Sequence, residues 1–309
     1  MDISLIVPVY NSEGIVQETA SRMLHFLDKE GIEGEILLIN DGSKDASWER
    51  IQEIAQEEDR VIAIDLLQNY GQHTAVFCGI EMARGKYMVT LDDDLQNPPE
   101  EVRKLYDRIR EGYDLVFGRF PVKQHTSHRK FGSRVVGFLN RKIFQKPDHI
   151  TLSNFRIFTR EVAERLKGFK THYPYIPGLL LLSAERIANV DTEHHPRKVG
   201  GSNYNFWKIA KLVSRLLFNY SSYPLRLLTG FGFFVSALSF LWGIGVIIKN
   251  LYVGVEVEGW TTLVVLISFL GGYVIVLLGV IGEYIARIMS QLSLAAPYQI
   301  SRIVDDSKE

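Results

Sequence analysis

The sequence predicts an α/β domain with a mainly parallel sheet, extended by amphipathic interfacial helices and followed by two C-terminal transmembrane helices. Three observations predict this. Short apolar runs alternate with helix-spaced segments through residues 3–117. Two later stretches combine helical spacing with Lys, Arg and aromatic residues. Two runs near the C-terminus carry no charge at all.

Residues 3–9 form an apolar run ending in Pro8-Val9-Tyr10-Asn11, read as a buried strand and its turn. Residues 14–30 place Ile15, Val16, Ala20, Met23, Leu24 and Leu27 at helical spacing. Strands follow at Ile36–Ile39, Val61–Leu66, Tyr87–Leu91 and Leu115–Phe117. Helices are read between them at about Ala46–Gln56, Thr74–Ala83 and Pro99–Arg110. Strand–helix alternation with short connections favours a parallel sheet. Ligands of such sheets bind beyond the carboxyl ends of the strands, where Asn40-Asp41-Gly42-Ser43 and Asp92-Asp93-Asp94 fall.

Residues 127–146 and 204–222 read as basic, aromatic helices lying in a membrane interface. Leu227–Ile248 and Gly259–Gly282 are uncharged runs of 22 and 24 residues. As helices they would reach roughly 33–36 Å, enough for a hydrocarbon core of about 30 Å. Lys208, Lys211, Arg215, Arg226, Arg287 and Arg302 flank the pair on one side, against Lys249 with Glu256 and Glu258 between the runs. The positive-inside rule then puts both chain ends, and the N-terminal domain, in the cytoplasm. The expected organisation is a catalytic domain at 1–225, a transmembrane hairpin at 226–286 and a cytoplasmic tail at 287–309.

Composition excludes several classes. With 35 basic and 36 acidic residues the net charge is −1, without the basic excess of a nucleic-acid binder. The single cysteine, Cys78, forbids an internal disulfide and a cysteine-rich zinc site. The N-terminus lacks a basic n-region, and Pro8 interrupts its apolar run, so no signal peptide is expected.

Asp92-Asp93-Asp94-Leu95-Gln96 follows a hydrophobic strand directly. Carboxylates at i and i+2 with a nearby amide can hold Mg²⁺ or Mn²⁺ through oxygen, although a solvated acidic turn has the same composition. Asn40-Asp41-Gly42-Ser43 serves equally as a plain turn or as a turn whose Asp41 accepts a hydrogen bond from a nucleotide base.

Together with Pro8-Val9-Tyr10-Asn11, Asn69-Tyr70-Gly71-Gln72-His73 and Asp92-Asp93-Asp94-Leu95-Gln96-Asn97-Pro98-Pro99-Glu100, these motifs fall in the order and spacing of family 2 glycosyltransferases. The chain resembles their polyprenyl-phosphate branch over nearly its whole length, including the Gly282-Glu283-Tyr284-Ile285-Ala286-Arg287 exit from the second apolar run. The resemblance implies a GT-A-type, Rossmann-like domain. It further implies inverting transfer of a sugar from a nucleotide-sugar, UDP before GDP, to a polyprenyl phosphate such as undecaprenyl phosphate.

The resemblance implies that Asp92, Asp94 and Gln96 hold the metal and the donor diphosphate, with Asp93 beside them. Pro8, Tyr10, Asn11, Asn40, Asp41 and Gly71 would surround the nucleotide. Arg119, Arg129 and Ser133 would receive the acceptor phosphate, whose recognition suits guanidinium forks. Arg156, in Ser153-Asn154-Phe155-Arg156, would stand beside the active site, and Arg197 with Ser202 would belong to a loop closing over the donor. His194 and His195 are expected to pack in that loop and not to bind metal. Asn40, Asn154 and Asn203 depart from the family's commoner Asp, Asp and Lys. The resemblance also allows a homo-oligomer, since similar enzymes can form tetramers. A processive polysaccharide synthase would carry a Gln-x-x-Arg-Trp motif, which does not occur. A silent scaffold would have no need of the acidic and basic constellation.

Overall fold

The computed structural model describes residues 1–120, 127–169, 171–195, 206–253, 259–292 and 296–305. The chain divides into two units, Met1–Phe206 with Leu294–Glu309, and Trp207–Ser293.

The first unit is built on one sheet. Its strands are β1 (Ile3–Val9), β2 (Gly34–Asn40), β3 (Val61–Leu66), β4 (Tyr87–Thr90), β5 (Leu115–Arg119), β6 (Arg156–Thr159), β7 (Ile187–Asp191) and β8 (Ile300–Val304). Their spatial order is β7-β5-β6-β4-β1-β2-β3-β8. The first four strands pair in parallel, as the alternation predicts. Every residue of β1, β2 and β3 is buried, which matches their near-continuous apolar sequences.

Among the described residues six of the eight strands run one way, the parallel majority the alternation predicts, and two reversed strands make the sheet mixed. β6 enters between β4 and β5 antiparallel to both, and β8 adds antiparallel to β3. Periodicity reports that a strand is buried on both faces, not which way it runs, so the reversal at β6 left no mark in the sequence.

Helices cover the sheet on both sides. On one face α1 (Val16–Glu30), α2 (Ser47–Glu57) and α4 (Val102–Arg110) pack Met23, Phe26, Ile51 and Leu105 against Leu5, Val7 and Leu38. Full burial of side chains of this size contributes about 1.5–3 kcal/mol each. On the other face α3 (Gln72–Met82) brings Gly79 against Ile6 and Ile39. The remaining helices of this unit are α5 (Ser127–Phe144), α6 (Arg160–Lys167) and α7 (Ile176–Ser183). Parallel register aligns Val9 with Asn40 and Ile6 with Thr90, so the turns after β1, β2 and β4 open at one edge.

In the second unit, α8 (Phe206–Tyr220) begins at the boundary and is followed by α9 (Tyr223–Val253) and α10 (Trp260–Leu292). The Tyr273 hydroxyl donates to the Leu228 carbonyl, and the Phe231 and Tyr273 rings meet edge to face at 5.6 Å. Large apolar side chains on both long helices face outward, among them Phe233, Trp242 and Ile275. Among the described residues, one stretch, Phe269–Ala286 in α10, is long and apolar enough to cross a membrane. The other expected span, Leu227–Ile248, lies within α9, where not every side chain is described.

Candidate functional site

The turn after β2 is locked from below. Asn40 is buried; its amide Nδ2 donates to Asp65 Oδ1 at 2.7 Å, and its Oδ1 accepts from Ser43 N at 3.2 Å. Asp41 braces this turn to the one after β3: Tyr70 N donates to its carboxylate at 2.7 Å and Gly71 N at 2.9 Å. Asn69 Nδ2 returns a bond to the Asp41 carbonyl at 3.1 Å. Gly42, at φ +63°, lies so close to the neighbouring turn that a Cβ would sit 2.6 Å from Asn69 N. Burial pushes the Asp41 carboxyl up to about 6, against the opposing pull of the Tyr70 and Gly71 N–H groups.

The turn after β1 is pinned to the same place. Asn11 takes a positive φ of 51°, tolerated by Asn better than by most residues. Its N–H donates to Ser43 Oγ at 3.0 Å, and its Oδ1 accepts from Lys44 N at 2.9 Å. Tyr10 stands beside it, exposed.

The third wall is the acidic loop after β4. Asp92 accepts from Gln72 Nε2 at 2.5 Å and from Asn154 Nδ2 at 3.5 Å. Asp94 Oδ1 accepts from Gln96 N at 3.1 Å, which holds the loop in a tight turn through Leu95 at φ 54°. One Asp93 oxygen is buried without a hydrogen-bond partner. Burial first, then the charges of Asp94 and Asp93, raises the Asp92 carboxyl to about 6; burial likewise raises Asp93 to about 6. Carboxylates crowded against one another in this way lower their energy by taking up a cation.

These walls enclose a cleft of about 440 Å³ lined by Pro8, Val9, Tyr10, Asp41, Asn69, Gly71, Gln72, Asp92, Asp93, Asp94 and Gln96. That volume is in the range of nucleotide-sized pockets. Among the described residues no group of three or more His, Cys, Asp or Glu is placed to hold a metal. The set that fits is smaller and all-oxygen: two carboxylates, Asp92 and Asp94, and the Gln96 amide, a donor chemistry suited to Mg²⁺ or Mn²⁺ with water or substrate oxygens completing the shell.

The other sequence-predicted residues lie elsewhere. Asn40 and Asn11 brace the cleft from behind. Arg156 is 1% exposed, beneath Asp92, where its Nε donates to Thr90 Oγ1 at 3.0 Å and its Nη1 to the Ser153 carbonyl at 3.3 Å. Burial pulls its guanidinium down to about 10 while Asp92 opposes the shift. Arg119, exposed at the end of β5, forms a two-pronged pair with Asp191 at 2.6 and 3.1 Å. Arg129 and Ser133 fall in α5, but their side chains lie outside the described residues, as do Arg197 and Ser202 entirely. His194 and His195 sit beside the acidic loop: His195 N donates to the Gln96 carbonyl at 2.8 Å, and the His194 ring lies 4.5 Å from that of Phe120.

Gln72, Asn69, Thr90 and Asp65 are additions to the predicted set. Gln72 and Asn69 stand inside the Asn69–His73 motif, so the signal was present; nothing local marks Thr90 or Asp65.

A family model described as Glycosyl transferase family 2 matches residues 4–167. The undecaprenyl-phosphate 4-deoxy-4-formamido-L-arabinose transferase of Photorhabdus laumondii is 33% identical over 309 residues, covering 99% of this chain and 95% of the relative. The bactoprenol glucosyl transferase of Shigella phage SfII is 32% identical, covering 98% of each. Among solved structures, glucosyl-3-phosphoglycerate synthase of Mycobacterium tuberculosis, in complex with Mn²⁺, UDP and phosphoglyceric acid, superposes with a TM-score of 0.53 at 19% identity, over 70% of this chain and 76% of that one. The fold of the first unit is therefore GT-A-like, and the chain belongs to glycosyl transferase family 2 as a glycosyltransferase.

Proposed function

We propose that this glycosyltransferase moves a sugar from a nucleotide-sugar, in first place a UDP-sugar, onto a polyprenyl phosphate at the cytoplasmic face of a membrane. The observation that carries the reading is the single cleft in which Asp92, Asp94 and Gln96 face Asp41, Gly71 and Tyr10. One side offers oxygen ligands, the other a braced turn for a nucleotide. The two relatives above, named for undecaprenyl phosphate and for bactoprenol, supply the acceptor class.

Asp92, Asp94 and Gln96 would hold Mg²⁺ or Mn²⁺, which when bound neutralises the departing diphosphate. Gln72 orients Asp92, and Arg156 supplies a buried counter-charge beneath it. A lipid phosphate oxygen attacks the anomeric carbon in line and forms the new C–O bond. The bond from that carbon to the nucleoside diphosphate breaks, and the configuration inverts. The acceptor needs no general base, because a phosphate monoester with a second pKa near 6 is largely dianionic at neutral pH. An asparagine at 154 is then sufficient. Arg119, Arg129 and Ser133 are assigned to the acceptor phosphate, and Arg197 with Ser202 to closure over the donor.

Chain topology supports two membrane crossings. β8 lies after α10 in sequence yet pairs with β3, which lies before α9. Residues of one sheet cannot stand on opposite sides of a bilayer, so the crossings between them are even in number. With α10 long and apolar enough to span, α9 is the natural partner.

The test is a product assay. Purified protein in detergent meets undecaprenyl phosphate, Mn²⁺ or Mg²⁺, and a panel of nucleotide-sugars, and released UDP or GDP is recorded. Lipid-dependent diphosphate release from one donor is expected. Release of a nucleoside monophosphate, or release indifferent to lipid, overturns the reading.

A further inference from the structure

The strand that follows the last apolar helix is joined to the floor of the cleft. β8 pairs with β3 so that Arg302 stands opposite Asp65. Arg302 Nη2 lies 3.5 Å from Asp65 Oδ2, and its guanidinium covers the Trp48 ring at 5.2 Å. The other Asp65 oxygen accepts from Asn40 Nδ2 at 2.7 Å. Asn40 then spends its remaining acceptor on Ser43 N, and Ser43 Oγ accepts from Asn11 N. Asp65 and Asn40 are 8% and 2% exposed. An amide buried to that degree keeps one orientation only while both its ends are satisfied.

We infer that Asp65, braced by Arg302 of β8, is the positioning residue of the nucleotide turn. It fixes which way the Asn40 amide points, and through Ser43 it fixes the Asn40–Ser43 turn and the Asn11 turn beside it. The C-terminal segment is thereby part of the donor site although no residue of β8 lines the cleft. This rests on the donor reading above. The departure at Asn40 explains the arrangement: an amide can donate to Asp65 where a carboxylate in its place would repel it.

Asp65→Leu replaces the carboxylate with a larger side chain that has no acceptor, so it leaves Asn40 Nδ2 buried and without its partner. Asparagine at 65 keeps an oxygen that can still accept. The experiment compares Asp65→Leu, Asp65→Asn and Arg302→Leu in the full-length protein in detergent. UDP and GDP binding are measured in the presence of Mn²⁺, with hydrogen exchange followed at residues 40–46. Loss of a buried partner corresponds to a weakening of about tenfold or more. Asp65→Leu is expected to weaken whichever diphosphate binds by that factor and to speed exchange at 40–46, with KM for the lipid acceptor unchanged. Asp65→Asn should recover most of the loss, and Arg302→Leu should shift both readouts in the same direction by a smaller factor.

Unchanged binding and unchanged exchange at 40–46 in Asp65→Leu would overturn the inference. So would exchange that rises equally across β1–β4, which would mark a general loosening. If Asp65→Leu does not fold, Arg302→Leu decides by the same two readouts. If the wild-type protein binds neither diphosphate, the donor reading fails, while exchange at 40–46 still decides whether Asp65 positions the turn.

Discussion

Asp41 accepts the Gly71 N–H on both carboxylate oxygens, at 3.2 and 2.9 Å, and the Tyr70 N–H at 2.7 Å. A residue whose type suggested contact with a base thus also shapes the wall opposite the acidic loop. A carboxylate offers about four acceptor positions, so capacity for a ligand remains. Asp41→Asn replaces one acceptor oxygen with a donor that faces backbone N–H groups. It should weaken binding of the donor nucleotide by about tenfold, the scale of one or two hydrogen bonds to a charged group, while the fold persists. Calorimetric titration with UDP and GDP checks this; unchanged affinity would leave Asp41 only its role in the turn.

Gly42 gives a prediction about stability. Its φ of +63° is costly for any residue with a Cβ, and that atom would lie 2.6 Å from both Gln68 C and Asn69 N. Gly42→Ala should destabilise the first unit by about 2 kcal/mol or more, through strain and through separation of the 40–43 and 69–71 turns. A denaturation midpoint equal to wild type would mean the two turns part at little cost.

How much of this was readable in the sequence follows from what is local. β1 to β5 and α1 to α4 declare themselves through apolar runs and helical spacing, and the cleft's two principal motifs sit at strand ends where the parallel alternation puts them. The antiparallel β6 and the edge strand β8 do not, because strand direction is decided by the whole sheet. Asp65 was invisible as a site residue for a related reason: in sequence it is a lone acid in an apolar strand, and only the β2–β3 register, with Asn40 opposite Asp65, gives it a partner. The Ser153-Asn154-Phe155-Arg156 motif puts Arg156 beside the active site, but its burial under Asp92 is a tertiary fact that no spacing announces.

The carboxyl groups set a pH dependence for the cation. Asp92 and Asp93, at about 6, are raised above the ordinary aspartate value of 3.8. The folded chain therefore holds protons that the unfolded chain has released. The stabilisation from these groups is complete below about pH 4 and is lost as pH rises through about 6. A bound cation replaces those protons, so the rise in Tm produced by Mn²⁺ over EDTA should be small at pH 5, grow through pH 6 and level off above pH 7. Asp94→Ala should remove most of that rise and lower turnover more than tenfold. A Tm gain independent of pH between 5 and 7.5 would argue against these carboxylates as the site.

Arg119 is the residue for which two roles make opposite predictions. Its bond to Asp191 joins the ends of two neighbouring parallel strands, and that pair holds the Asp191 carboxyl below the usual carboxylate range. If the pair serves only to tie β5 to β7, it is an exposed ion pair of small worth, and Arg119→Ala and Asp191→Ala should be nearly equal and mild in Tm. If Arg119 receives the acceptor phosphate, Asp191 is its resting partner and competes with the lipid. Arg119→Ala should then raise the acceptor KM at least tenfold with donor affinity unchanged, whereas Asp191→Asn should lower the acceptor KM or leave it as it is. The asymmetry between the two variants is the decisive quantity. A strand tie cannot produce it, because removing either end of a tie has the same result, while a phosphate receptor loses its function only when the guanidinium goes.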